Sequence, residues 1–203
     1  LAVARVAAGE VTYTSRDDLA AQLADPSADL DRRAALLREL PPMSTADAAG
    51  LVGEAIRQIS ETGATGSMFD DEMVVRLAHA LTQQVVRDAS LAFVLTDPAV
   101  ADPAAAEQLW FVLTRATPRP EATHPATLLA LSAALRGDGV LANIALDTAL
   151  AADPTNRLAS LLRAVLAHGI HPDKLRQRLA ESLTGPHPDT PRSRSFGAGD
   201  DLT

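Results

Sequence analysis

The chain contains no cysteine. Disulfides, thiolate nucleophiles and sulfur-ligated zinc or iron–sulfur centres are excluded together. Aromatic residues are only 3% of the 203 positions, which leaves aliphatic side chains to fill a core. Apolar runs are short: Leu128–Leu131 is typical, far below the roughly 20 residues a membrane helix needs. Positive charge is also the minority sign, with 18 basic against 26 acidic side chains and a net charge of −8. A chain this acidic is repelled by phosphate backbones, so neither nucleic acid nor a membrane is an expected partner.

What is abundant points one way. Hydrophobic residues make up 47% of the chain, with 40 Ala and 29 Leu, enough to bury a core and rich in strong helix formers. Helix start and stop signals punctuate the text. Ser15-Arg-Asp-Asp18, Asp29, Ser44 with Asp47, and Ser67 or Asp70 read as helix starts. Asp102 followed by Pro103 does the same, since a cap and then proline at the first helical position is a favoured pairing. Pro41-Pro42, Gly63 with Gly66, Asp97-Pro98 and Pro118 with Pro120 read as stops. Further on, helices are expected over residues 126–136 and 140–152 around a Gly137-Asp138-Gly139 turn. Leu158, Leu161, Leu162, Val165 and Leu166 form the cleanest amphipathic stripe in the chain. His171-Pro172-Asp173 opens a last helix through Leu175, Leu179 and Leu183. Val11-Thr12-Tyr13 is the only β-like triplet, too short for a sheet. The expected fold is all-α, about ten short-to-medium helices packed as antiparallel hairpins. Residues 1–183 form the helical domain, with a division into 1–66 and 67–183 compatible with the text. Residues 184–203 turn to Gly, Pro, Ser, Arg and Asp and read as a disordered tail.

Residues 123–154 resemble one tetratricopeptide unit, two antiparallel helices with small residues where they cross and a closing proline. Leu129 and Ala130 supply a large-then-small pair, Ala142 and Ala149 the close-approach positions, Leu146 the bulky residue between them, and Pro154 the close. Ala126 and Ala133 stand where large aromatics are usual, so a generic helical hairpin is the competing reading. Pro125-Ala-Thr-Leu-Leu-Ala130, Gly137-Asp-Gly139, Ala142, Ala145 and Ala149 ahead of Asp153-Pro154, with Val86-Arg87-Asp88-Ala89 and Ser15-Arg16-Asp17, also resemble an actinobacterial family. It is the family catalogued as domain of unknown function 4192. The resemblance covers most of residues 1–183. It implies that the chain is the helical C-terminal half of a longer protein with an α/β N-terminal half, and it implies no activity. Use of Arg at 17 of the 18 basic positions suits a GC-rich genome of that kind. Residues 1–8 read as the end of a helix that Gly9 stops, and the first residue is Leu, so a preceding segment is expected.

Residues able to carry chemistry are few. His168 and His171 straddle Gly169 at a helix end, where two metal ligands would not be held on one rigid face. His168 is better read as a favourable charge at a helix C-terminus. His79 reads as a boundary residue; His124 and His187 complete the set. Asp70, Asp71 and Glu72 read as charges placed for a helix N-terminus. Gly137-Asp138-Gly139 lacks the Lys-Ser/Thr of a phosphate loop, and Ser132 and Ser160 lack a nucleophile elbow. Trp110 and Phe111 leave a helix about 100° apart, so one can be core while the other faces a neighbour. Phe111 is therefore a candidate partner-facing residue, as are Arg192, Arg194 and Phe196 of the tail. Phosphorylation of Ser193 or Ser195 would offset the two tail arginines.

The expected function is a non-catalytic helical module for protein–protein interaction or scaffolding, cytoplasmic and without a cofactor. Its partner would be another protein or its own N-terminal half. The alternative is the helical half of an enzyme or small-ligand-binding protein whose site lies mainly in that N-terminal part.

Overall fold

Capping side chains set the helix starts. In the computed structural model, which describes residues 16–23, 29–63, 69–95 and 102–184, ten helices and no strand are present among the described residues. They are α1 (Arg16–Gln22), α2 (Leu30–Glu39), α3 (Thr45–Thr62), α4 (Asp71–Ala80) and α5 (Gln84–Leu95), then α6 (Pro103–Ala116), α7 (Thr123–Arg136), α8 (Gly139–Ala152), α9 (Arg157–Ala167) and α10 (Pro172–Thr184). Asp29, Ser44, Asp70, Asp102, Asp138 and Asn156 each accept a hydrogen bond from a backbone N–H of the first turn that follows. Such a contact satisfies a donor that has no partner within the helix, and is typically worth about 1 kcal/mol. Gly63 (φ 63°) and Gly137 (φ 87°) close α3 and α7 in the left-handed region, where a side chain would be strained. Ser15, Gly66, Ser67, Asp97 and Pro98 lie outside the described residues, as do residues 1–8 and Val11-Thr12-Tyr13.

Three boundaries differ from expectation, the smallest being α8, which starts one residue early at Gly139 behind its cap Asp138. Helix α7 begins at Thr123, three residues ahead of the expected start, because Pro125 falls in its first turn. A proline there gives up only an N–H that the helix leaves unpaired anyway. At the other end Thr184 is the last residue of α10, not the first of the tail.

Helix α7 is the centre of the molecule. Twelve of its 14 residues are buried, and it packs on α5, α6, α8, α9 and α10. Its pairing with α8 is the most extensive in the fold. Ala126, Ala133, Ala142, Ala145 and Ala149 are all fully buried there, with Leu129 and Leu146 between them. Small residues at a crossing let two helix axes approach closely, so the leucines interdigitate without voids. The expected hairpin is therefore present over these residues. Helix α3 lies across α4, α5 and α6, α2 lies on α4, and α1 on α8. One buried apolar cluster runs from Leu19 through α3 to Leu175, so residues on both sides of position 66 share a core.

Arginine side chains tie the outer helices to this core through helix ends. Arg33 donates to Asp71 Oδ1 at 2.8 Å and to the carbonyl of Ala116, at the end of α6, at 2.9 Å. Arg87 donates to the carbonyls of Leu81 and Thr82 past the end of α4. Arg176 reaches Val94 in α5 and Leu135 in α7, each at 3.3 Å. Terminal carbonyls lack helical partners and carry the negative end of the dipole, and a guanidinium with five donors suits both needs. No described helix is long and apolar enough to cross a membrane.

Candidate binding groove

A depression of about 580 Å³ lies between α1, the end of α6 and the second half of α8. Its position follows from the local sequence. Thr117 ends α6 in extended backbone, and the segment Thr117–Ala122 turns back through a cis Arg119–Pro120 bond before α7 begins. Its apolar lining includes Leu23 from α1, Ala122, and Ile144 and Ala151 from α8. Arg16, Arg115 and Arg119 line it too, with Asp147 the single carboxylate among the described lining residues.

That carboxylate is already engaged. Arg16 donates to Asp147 Oδ2 and Arg163 of α9 to Oδ1, both at 2.6 Å. Arg115 lies over the ring of Phe111, 5.7 Å from its centroid, a distance at which a cation is attracted to the aromatic face. Arg119 is exposed and has no carboxylate partner among the described residues. Thr114 returns its hydroxyl to the carbonyl of Trp110 at 2.7 Å. Thr117 is only 3% exposed and its Oγ1 is buried, with no hydrogen-bond partner among the described residues; the same holds for Trp110 Nε1, His124 Nδ1 and Arg163 Nε.

The candidates read from the sequence lie elsewhere. Phe111 is half-buried against the core and half-covered by Arg115. Trp110 is fully buried. Arg192, Arg194, Phe196, Ser193, Ser195 and His187 lie outside the described residues. Asp70 caps α4 through Met73 N at 2.8 Å, while Asp71 pairs with Arg33 and, at 3.5 Å, with Arg32. These carboxylates border a second, smaller hollow against α2, where every role they show is structural. His168 follows the last turn of α9 and donates from Nδ1 to the carbonyl of Ala164 at 2.7 Å. His171 sits 3.3 Å from Asp173 in the open. No group of three or more His, Asp or Glu able to hold a metal ion occurs among the described residues. The Ser132 hydroxyl donates to the carbonyl of Leu128, inside α7, at 3.0 Å.

A family model described as Domain of unknown function (DUF4192) matches residues 1–173. The chain belongs to that family. No curated protein and no solved structure matches it. The DUF4192 match extends far beyond the α7–α8 hairpin, from before α1 to the first turn of α10, and so includes the whole lining of the groove.

Sequence reading did not find this groove. The available signal was Arg115-Ala-Thr-Pro-Arg119-Pro, two basic residues and two prolines around the hydroxyl where a helix stops. Arg16 and Asp147 join it from 131 residues apart, and nothing in a one-dimensional pattern announces such a pairing.

Proposed function

We propose that this DUF4192 domain is a non-catalytic binding module that seats a small ligand in the groove between α1, α6 and α8. The observation that supports this reading is the lining itself: apolar walls and a few convergent polar groups around about 580 Å³. Small-molecule sites are usually hollows of about 300–1,000 Å³ with this division of labour. The reading places the ligand on this chain's own residues, whereas the sequence had suggested an interaction module or a site completed by a separate half.

Thermal unfolding of the chain against a panel of metabolites and nucleotides tests it. A ligand at about 100 times its Kd adds roughly 2.7 kcal/mol, which for a domain of this size raises Tm by about 5–10 °C. The same ligand should lose its effect when Ala151→Trp fills the groove. A shift that survives that substitution places the site elsewhere and defeats the proposal.

A second reading keeps protein–protein interaction or scaffolding as the role. It is supported by the outer side of α9, where Leu161 is 62% exposed and Ile170, just beyond the helix, 39%. Stacking of α9 on both helices of the hairpin is the arrangement a tetratricopeptide-like series would continue. The partner would be another protein or a further part of the same chain. Leu161→Glu should abolish such binding and leave a groove ligand's thermal shift untouched.

A further inference from the structure

We infer that α1 is a strap over α8, one that opens and closes the groove without unfolding the rest of the domain. The helix has seven residues, too few to stay helical in water by itself, so its structure depends on what it packs against. It packs chiefly on α8. Leu19 and Leu23 are its buried apolar anchors. Among the described side chains, its polar tie to the rest of the fold is one ion pair, Arg16 to Asp147.

The construction of that tie makes release easy. Arg16 and Asp147 are 61% and 48% exposed, and an ion pair so open to water contributes little. Asp147 is also held on its other oxygen by Arg163 of α9 at 2.6 Å. When α1 lifts, the carboxylate therefore keeps a cationic partner, and the Arg16 guanidinium passes wholly into water. No buried charge is stranded on either side. Helix α2 is the contrary case. Its Arg33 holds a partly buried carboxylate and a backbone carbonyl, and both lose that donor if α2 lifts. Burial of Leu19 and Leu23 is thus what keeps α1 down. Helix and apolar contact are made or lost together, so α1 opens as a unit.

Opening removes Arg16, Ala20 and Leu23 from the lining and leaves the α8 side, with Ile144, Thr148 and Ala151, uncovered. A ligand seated in the closed groove touches α1 and holds it down, as a lid is held. That gating rests on the groove being a binding site; the motion itself is read with no ligand present, so either can fail alone.

Because the chain has no cysteine, single-cysteine variants of the whole chain can be labelled without background. Leu19→Cys reports on α1, and Leu146→Cys, at a fully buried position between α8 and α7, reports on the body. Leu19→Cys should react with a thiol reagent about tenfold faster or more, at a rate that barely changes in low urea, whereas the rate of Leu146→Cys climbs steeply. Adding Leu23→Ala should speed Leu19→Cys about tenfold or more, and adding Arg16→Gln only about two- to fivefold. Ile56→Ala, buried in α3, weakens the open and closed forms alike. It should speed Leu146→Cys and leave Leu19→Cys unchanged. Hydrogen exchange of the unmodified chain repeats the comparison without any substitution: amides of α1 should exchange at a rate independent of low urea, those of α7 at one that rises with it. Urea dependence shared by α1 and α7 in either experiment overturns the strap, as does acceleration of Leu19→Cys by Ile56→Ala. A larger effect of Arg16→Gln than of Leu23→Ala overturns the assignment of the leucines as its hold.

Discussion

The α7–α8 hairpin and the α9–α10 pair that follows it contrast in one instructive respect. Along α7 nearly every residue is buried, whatever its direction. A helix in that position is apolar all round and shows little stripe. Helix α9 carries the sharpest stripe in the sequence, yet only Ala159 and Leu162 are fully buried. Helix α10 buries Leu175 and half-buries Leu179. Sharp amphipathicity thus marks a helix lying at the rim with one side wet, and blurred amphipathicity marks the one at the centre. Regularity of pattern and contribution to stability run in opposite directions here.

The largest expected effect tests that inversion. Leu146→Ala, at a fully buried position between α8 and α7, should cost about 3–4 kcal/mol through lost transfer energy and the cavity left behind. Urea unfolding would register it as a lower midpoint at unchanged m. A loss below about 1 kcal/mol would mean that the hairpin collapses around the gap and is not the rigid centre described above.

Next in size are the arginine ties between the outer helices and the core. Arg33, whose side chain is 13% exposed, holds Asp71 and the end of α6 together. Arg33→Ala should cost about 2–3 kcal/mol, since it leaves the Ala116 carbonyl without this donor and the partly buried Asp71 with only its longer contact to Arg32. Arg176→Ala removes two longer contacts and should cost only about 1 kcal/mol. Equal losses at the two sites would contradict the ranking that the distances give.

How much of this was legible in the sequence depended on the range of the interaction. Caps at Asp29, Ser44, Asp70 and Asp102, the turn at Gly137 and the hairpin alanines are local, and each was readable from a few neighbouring residues. The start of α7 lies three residues ahead of the expected one, because Pro125 is accommodated in the first turn, where its missing N–H costs nothing. The groove was invisible for a different reason. Its charged lining comes from α1, the end of α6 and α8, and only the packing of α1 on α8 brings Arg16 to Asp147. The arginines that bind helix ends escaped notice likewise, because their partners are backbone carbonyls, which every residue possesses.

A smaller effect belongs to His124, in the first turn of the central helix. Burial lowers its pKa to about 4, with Arg87 pushing the same way and Asp153 opposing. The unfolded chain therefore takes up this proton first, near the ordinary value of about 6.5. The neutral ring's contribution is fully present above that pH and is lost progressively as pH falls toward 4. The loss should reach about 1 kcal/mol, since the ring is only partly shielded from water. Replacing it by glutamine should flatten the stability profile between pH 6.5 and 4. The carboxyls of Asp102 and Asp153 are held below their usual range, by hydrogen bonds chiefly from the Ser60 and Thr155 hydroxyls respectively, so their own losses come at lower pH. An unchanged slope in the variant would place the titration on another group.

The smallest effect is expected where the sequence pattern is strongest. Leu161 sits in the middle of the α9 stripe and is 62% exposed, so truncation removes little buried surface and opens no cavity. Leu161→Ala should change stability by no more than about 0.5 kcal/mol, against several for Leu146→Ala. Leu162→Ala, one residue along and 4% exposed, provides the internal control, at about 2–4 kcal/mol. Because both leucines lie on one helix, differences in helix propensity cancel and only coverage separates them. A loss above about 1.5 kcal/mol at Leu161 would mean that something outside the described residues covers this face in the folded chain. The rim would then be a second core, and the outer side of α9 would no longer be available to a partner.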